Sequence, residues 1–217
     1  MGPNKEIIFL IDNLIYQKNI EGLWNNYEVD TYKLESSFDE IDIYLDCPTF
    51  NIIPDEMYTE FSEFQKKQIL IENHTDYEFF SQIVPNLESK IYWCEKKEKI
   101  QHLNKIIPNC NFHHLIEPML INNKESEIKF FVSNGFIYIT SFSRGNLKLA
   151  NRFFTSNEDD SLYFLLSIIK ETNLINENFK FSAYGIKKEK LISKLKSVFS
   201  QNKFEVYKEN DFSSILK

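Results

Sequence analysis

Residues 127–154, EIKFFVSNGFIYITSFSRGNLKLANRFF, read as three consecutive antiparallel strands joined by two tight turns. Ile128, Phe130 and Val132 share one face of the first strand. Asn134-Gly135 is the dipeptide that a type I′ turn demands, because both central residues of that turn need positive φ. Phe136 to Phe142 is the returning strand, and Arg144-Gly145 permits a second turn. In the third strand Leu147, Leu149 and Phe153 fall on one side.

The chain beyond residue 154 packs on that sheet. Asn157 is placed to cap a helix whose first turn holds Glu158, Asp159 and Asp160, and Leu162, Leu165, Leu166 and Ile169 recur at helical spacing. Phe179 to Tyr184 is the next strand, and Gly185 turns the chain. Leu191, Leu195, Val198 and Phe199 line a second amphipathic helix, and Lys203 to Tyr207 is the last strand. The order β-β-β-α-β-α-β results, with right-handed returns expected at both crossovers.

Upstream the pattern is mixed α/β. Glu6 to Ile11, Ile41 to Leu45, Thr49 to Ile53 and Lys90 to Cys94 read as strands. Pro54 opens a helix to about Lys66, with Met57, Phe61 and Phe64 on one face. Gln68 to Glu72 is expected as a strand, Asp76 to Ile83 as a short helix, and residues 95 to 107 and 109 to 120 as helices broken at Pro108-Asn109. Asn122 to Ser126 is a polar turn. Residues 13 to 38 show no sustained stripe of either period and receive no assignment. The organisation predicted is an N-terminal lobe over 5–108 and a C-terminal lobe over 109–217.

A net charge of -7 speaks against nucleic acid as the main partner, since that role asks for a basic surface to displace counterions. The apolar runs are too short for a membrane helix, so no membrane insertion is expected. Cys47, Cys94 and Cys110 are odd in number and lack a Cys-x-x-Cys pair, which fits free thiols and a cytoplasmic location.

The order of elements over 127 to 207 is that of ribonuclease-H-like domains, which occur as nucleases and, duplicated, as the lobes of actin-like ATPases. The Asn134-Gly135 hairpin, Asn151-Arg152-Phe153, Asp160-Ser161-Leu162-Tyr163 and Phe50-Asn51-Ile52-Ile53-Pro54 followed by Met57-Tyr58 carry a more specific likeness. Together they resemble a Bacteroidota domain-of-unknown-function family with an actin-like fold, distantly similar to the type IV pilus assembly protein PilM. The resemblance implies an α/β, actin-like architecture: a ribonuclease-H-like second lobe and a related, reduced first lobe, in which only one convincing strand precedes residue 40.

An actin-like ATPase holds phosphates with glycine-rich hairpins carrying a magnesium-linked Asp. On that likeness the ligand-binding candidates are Ser133, Asn134 and Gly135 at the hairpin, Gly185 after the fourth strand, and Arg152 at the sheet end. The hairpin has one Gly and no acid, and turn geometry already explains Asn-Gly. Strands one and four of the lobe, IKFFV and FKFSAY, hold no carboxylate, which argues against nuclease chemistry on two metals. Glu158, Asp159 and Asp160 have a structural reason at a helix N-terminus, and Cys110, His113 and Glu117 lack the pairing of a zinc site, so no metal is expected. The reading is a non-catalytic actin-like interaction or scaffold module with a protein partner and no cofactor. The alternative is a divergent nucleotide-binding protein that takes ATP with magnesium between its lobes.

Overall fold

Strand β1, Lys5–Ile11, turns back at once, because Asp12 and Asn13 both take positive φ (52° and 64°), the geometry of a type I′ turn. β2, Leu14–Lys18, therefore pairs antiparallel with β1, and β3, Trp24–Glu28, pairs antiparallel with β2. This meander occupies the segment left unassigned from the sequence. The structure, a computed structural model, describes residues 4–19, 21–34, 38–121, 124–208 and 211–216. Asn122 and Asn123 of the expected polar turn lie outside the described residues.

The first of two compact units spans Met1–Glu117. β4, Glu40–Leu45, lies parallel to β1. The chain then builds a separate antiparallel sheet. β5, Phe50–Pro54, leads into helices α1, Asp55–Glu60, and α2, Glu63–Leu70, and then β6, Tyr77–Val84, and β7, Ser89–Lys96, which is central in the order β5-β7-β6. Helix α3, Lys97–Ile106, and strand β8, Cys110–His114, return the chain to the main sheet, whose order is β3-β2-β1-β4-β8.

Several local expectations fail here. The single helix after Pro54 is two, because the Ser62–Gln65 capping box starts a new one, and Met57 and Phe64 are exposed. Gln68 lies in α2, residues 77–84 form β6, and residues 110–114 form β8. Tyr77, Phe80 and Ile83 suggest a helical stripe only by coincidence of spacing.

The second unit spans Pro118–Lys217. β9, Glu127–Ser133, β10, Phe136–Ser143, and β11, Asn146–Phe154, form the expected meander. Helix α4, Glu158–Glu171, strand β12, Lys180–Gly185, helix α5, Glu189–Val198, and strand β13, Lys203–Val206, complete it. The sheet order β11-β10-β9-β12-β13 repeats that of the first unit, antiparallel within each meander and parallel at the two added strands. Two lobes of one topology are thus present. The meander of the first is complete, against the expectation that only one strand precedes residue 40; between β3 and β4, where the second has α4, its described residues hold only a 3-10 turn, Val29–Thr31.

Ile128, Phe130 and Val132 pack with Ile137 and Ile139 against Leu165, Ile169, Leu191 and Leu195, as periodicity predicts. Val198, expected on that face of α5, is 59% exposed at the helix end. β9 and β10 are buried throughout, and Phe131, on the side away from this core, meets Phe212 with ring centroids 5.9 Å apart.

Candidate functional site

Ser133 closes β9 opposite Phe136, so Asn134 and Gly135 are the two turn residues. Only Gly135 of the pair has positive φ (85°), so the expected type I′ geometry is absent here; it occurs instead at Asp12-Asn13 and at Arg144-Gly145 (49° and 78°). Gly135 O accepts a hydrogen bond from Thr155 N at 2.9 Å. Asn134 Oδ1 accepts one from Lys187 Nζ at 3.1 Å.

Lys187 belongs to the loop that leaves β12, which brings Gly185 beside the hairpin. Gly185 has φ of 90°, and a Cβ there would stand 2.0 Å from Val132 O. Ile186 N donates to the same oxygen at 2.9 Å. The ammonium of Lys188, a residue 1% exposed, donates to Gly185 O at 2.6 Å. Ser133, Asn134, Gly135 and Gly185 are therefore gathered at the carboxyl ends of parallel strands β9 and β12, where open α/β sheets place ligands. Arg152 is engaged elsewhere. Opposite Tyr138 on β11, its guanidinium carbon lies 4.2 Å from the ring centroid of Phe136 and 4.7 Å from that of Phe154.

The acids of α4 also have partners. Asn157 Oδ1 accepts from Asp159 N and Asp160 N, and Asp160 Oδ2 accepts from Ser156 N. Asp159 pairs with Lys194, and Glu158 lies 3.8 Å from Lys190.

A polar network in the first unit escaped the sequence reading. Asp42 on β4 accepts from Lys5 Nζ at 2.7 Å and from Asn111 Nδ2 at 3.1 Å, with His113 Nε2 at 3.4 Å. His113 Nδ1 lies 2.9 Å from Glu117 Oε2, to which Gln82 Nε2 of β6 donates at 2.8 Å. Burial works against the charge on Asp42, but Lys5 and Asn111 hold its carboxyl below the usual range. Burial also opposes the charge on His113, yet Glu117 and Asp42 raise its pKa. The network ties the inserted sheet to β4 and β8. The alternation of Ile41-Asp42-Ile43-Tyr44 marked Asp42 as facing away from the apolar side, but nothing local pointed to Gln82. Cys110 and His113, three apart on a strand, take opposite faces of β8. Among the described residues no group of three or more His, Cys, Asp or Glu side chains is placed to hold a metal ion.

The family described as "Protein of unknown function (DUF3822)" matches residues 6–202. The chain belongs to this family. Among solved structures, the DUF3822 chain is similar to a Bacteroides thetaiotaomicron protein described as having an actin-like ATPase fold and unknown function. That match has 21% identity and a TM-score of 0.75, and covers 98% of this chain and 94% of the other. It is similar to the PilM-PilN type IV pilus biogenesis complex at 6% identity and a TM-score of 0.62, over 94% and 88% of the two chains. A third similarity is to the cytoplasmic domain of EpsL, an inner membrane component of the Vibrio cholerae type II secretion system, at 8% identity and a TM-score of 0.50 over 82% and 81%. No curated protein matches the chain. These likenesses show the fold: the DUF3822 chain has the actin-like ATPase architecture. No helix among its described residues is long and apolar enough to cross a membrane.

In the DUF3822 chain the hairpin of the second lobe offers one glycine and one lysine-bound amide, and no carboxylate for a cation. Asp12 supplies an acid to the corresponding hairpin of the first lobe, without a glycine beside it. The signal for that hairpin was available in the sequence, as a two-residue Asp-Asn turn between FLI and LIY.

Proposed function

We propose that this protein is a non-catalytic, actin-like interaction module of the cytoplasm that works by engaging another protein. The observation that carries the reading is the occupation of the second-lobe hairpin by the fold itself. Asn134 holds Lys187, Gly185 makes room for Val132, and the Lys188 ammonium is spent on the Gly185 carbonyl. A phosphate cradle needs such groups aimed outward, with a carboxylate for its cation. Similarity to PilM, known from a complex with PilN, and to EpsL, a secretion-system component, supports a role in assembly. The test is ATP turnover by the purified protein with magnesium. No turnover above the uncatalysed background is expected, and robust magnesium-dependent hydrolysis would reject the module reading.

A second reading, nucleotide binding without the loss of function that degeneracy implies, is favoured by Asp12. It puts a carboxylate on the first-lobe hairpin that corresponds in topology to the β9–β10 hairpin. Under that reading Asp12→Ala abolishes any ATP-dependent rise in melting temperature; under the module reading there is no rise to abolish.

A further inference from the structure

We propose that the first-lobe sheet face over β2 and β3, beside α3, is a docking site for an amphipathic helix of a partner protein, which takes the place that α4 holds in the second lobe. The inference deepens the module reading and rests on it.

The repeat sets the correspondence residue by residue. Counted from the two hairpins, the facing pair Leu10 and Ile15 answers to Val132 and Ile137. One strand outward, Tyr27 faces Ile15 as Phe153 faces Ile137. Leu23, whose carbonyl accepts from Asn19 N at 2.8 Å, answers to Leu149, which lies opposite Ser141. Helices α3 and α5 have ten residues each, and their buried pairs, Ile100 with Leu103 and Ile192 with Leu195, fall at the same places along them.

In the second lobe α4 covers this face. Leu149 and Phe153 pack on the core that holds Leu165, Ile168 and Ile169 of α4. Phe153 also stacks on Phe164 of α4, with ring centroids 4.4 Å apart. The first-lobe counterparts lie open: Leu23 is 61% exposed and Tyr27 36%. Tyr32, which donates to Gln17 Oε1 at 2.7 Å, covers the middle of the face and meets Tyr27 edge-on at 5.6 Å. At the hairpin end a cavity of about 510 Å³ lies between Leu10, Asn13, Val29, Asp30, His102 and Leu103.

The segment between the strands is too short to supply the helix. Residues 29–39, eleven in all, join β3 to β4, whereas twenty-five, 155–179, join β11 to β12. Helix α4 alone takes fourteen. The charge pair that ties α4 to α5, Asp159 with Lys194, has its first-lobe equivalent already: Asp30 Oδ1 lies 3.4 Å from His102 Nε2, and His102 holds in α3 the place of Lys194 in α5. Apolar cover is what the first lobe lacks, so the occupant is selected by an apolar stripe at i, i+3, i+4 and i+7, as on α4. A second copy offers no such stripe. Among the described helices no two exposed large apolar residues stand three or four apart, since Phe64 and Ile69 of α2 are five apart.

The probe is a labelled peptide of residues 158–171, the α4 sequence, stapled across Tyr163 and Lys170, which face solvent in the protein, so that it is helical in isolation. Anisotropy against the full chain should show saturable binding, at least about tenfold weaker for a peptide carrying Leu165→Ser and Ile169→Ser. Leu23→Glu should weaken binding at least about tenfold at an unchanged melting temperature, and Leu23→Met should restore it. Should Leu23→Glu fail to fold, the doubly substituted peptide carries the test on the unaltered protein. With photo-leucine at Leu162 of the peptide, crosslinks should fall within residues 23–34 or 97–106. Crosslinks on β10, β11 or α5 would mean that the peptide replaces α4 in its own lobe, and would overturn the proposal. So would no binding, equal affinity for the doubly substituted peptide, binding that survives Leu23→Glu, or a dimer that Leu23→Glu converts to monomer. ATP turnover on the same preparation separates the two levels: failed peptide binding without turnover removes only the docking face, whereas turnover removes the module reading beneath it.

Discussion

At Gly185 a backbone φ of 90° and a prospective Cβ 2.0 Å from Val132 O leave no L side chain a fit. Gly185→Ala should destabilise the protein by about 2–4 kcal/mol, combining left-handed strain with overpacking, as urea unfolding would measure. His113 makes a pH-dependent contribution. Its pKa is raised in the folded state from an ordinary value of 6.5, so its stabilisation is complete below that value and is lost as pH rises through the higher folded pKa. Asp42 behaves oppositely: its pKa is lowered from 3.8, and its contribution is present above 3.8 and lost as pH falls through the folded value. Wild-type stability should therefore decline as pH rises above about 6.5 and through the higher folded pKa, and His113→Gln should flatten that slope in denaturation curves. An unchanged slope in the variant would remove His113 as its source.

Helix α4 begins where Asn157 accepts from two backbone N–H groups, so Asn157→Ala should cost about 1 kcal/mol in thermal or urea unfolding. The second lobe was legible in the sequence because its elements carry agreeing signals. Turn dipeptides stand at 134–135 and 144–145, and Leu165 and Ile169 fall at helical spacing on one buried side. The first lobe hid its meander because β3, WNNYE, is an exposed edge strand without the alternation that marks a half-buried one. β8 was masked for a related reason. Its CNFHH is mostly polar, and only its parallel pairing with β4, a contact about seventy residues distant in the chain, makes it a strand. At the candidate site the hairpin and Gly185 were legible as positions. Their occupation by Lys187 and Val132 was not, because it depends on the packing of β12 beside β9.

The chain repeats one topology twice, with a β5-β7-β6 sheet inserted in the first repeat, in an actin-like ATPase architecture. Fold alone does not confer activity. The two hairpins that correspond across the lobes divide what a phosphate site needs: Asp12 brings an acid without glycine, and Gly135 a glycine without acid. Equilibrium binding of ATP with magnesium tests the central claim most directly, because a ligand that binds the native state at a hundred times its Kd raises stability by about 2.7 kcal/mol. The module account predicts no change in melting temperature at millimolar ATP with magnesium. A dose-dependent rise of several degrees that Asp12→Ala removes would contradict it.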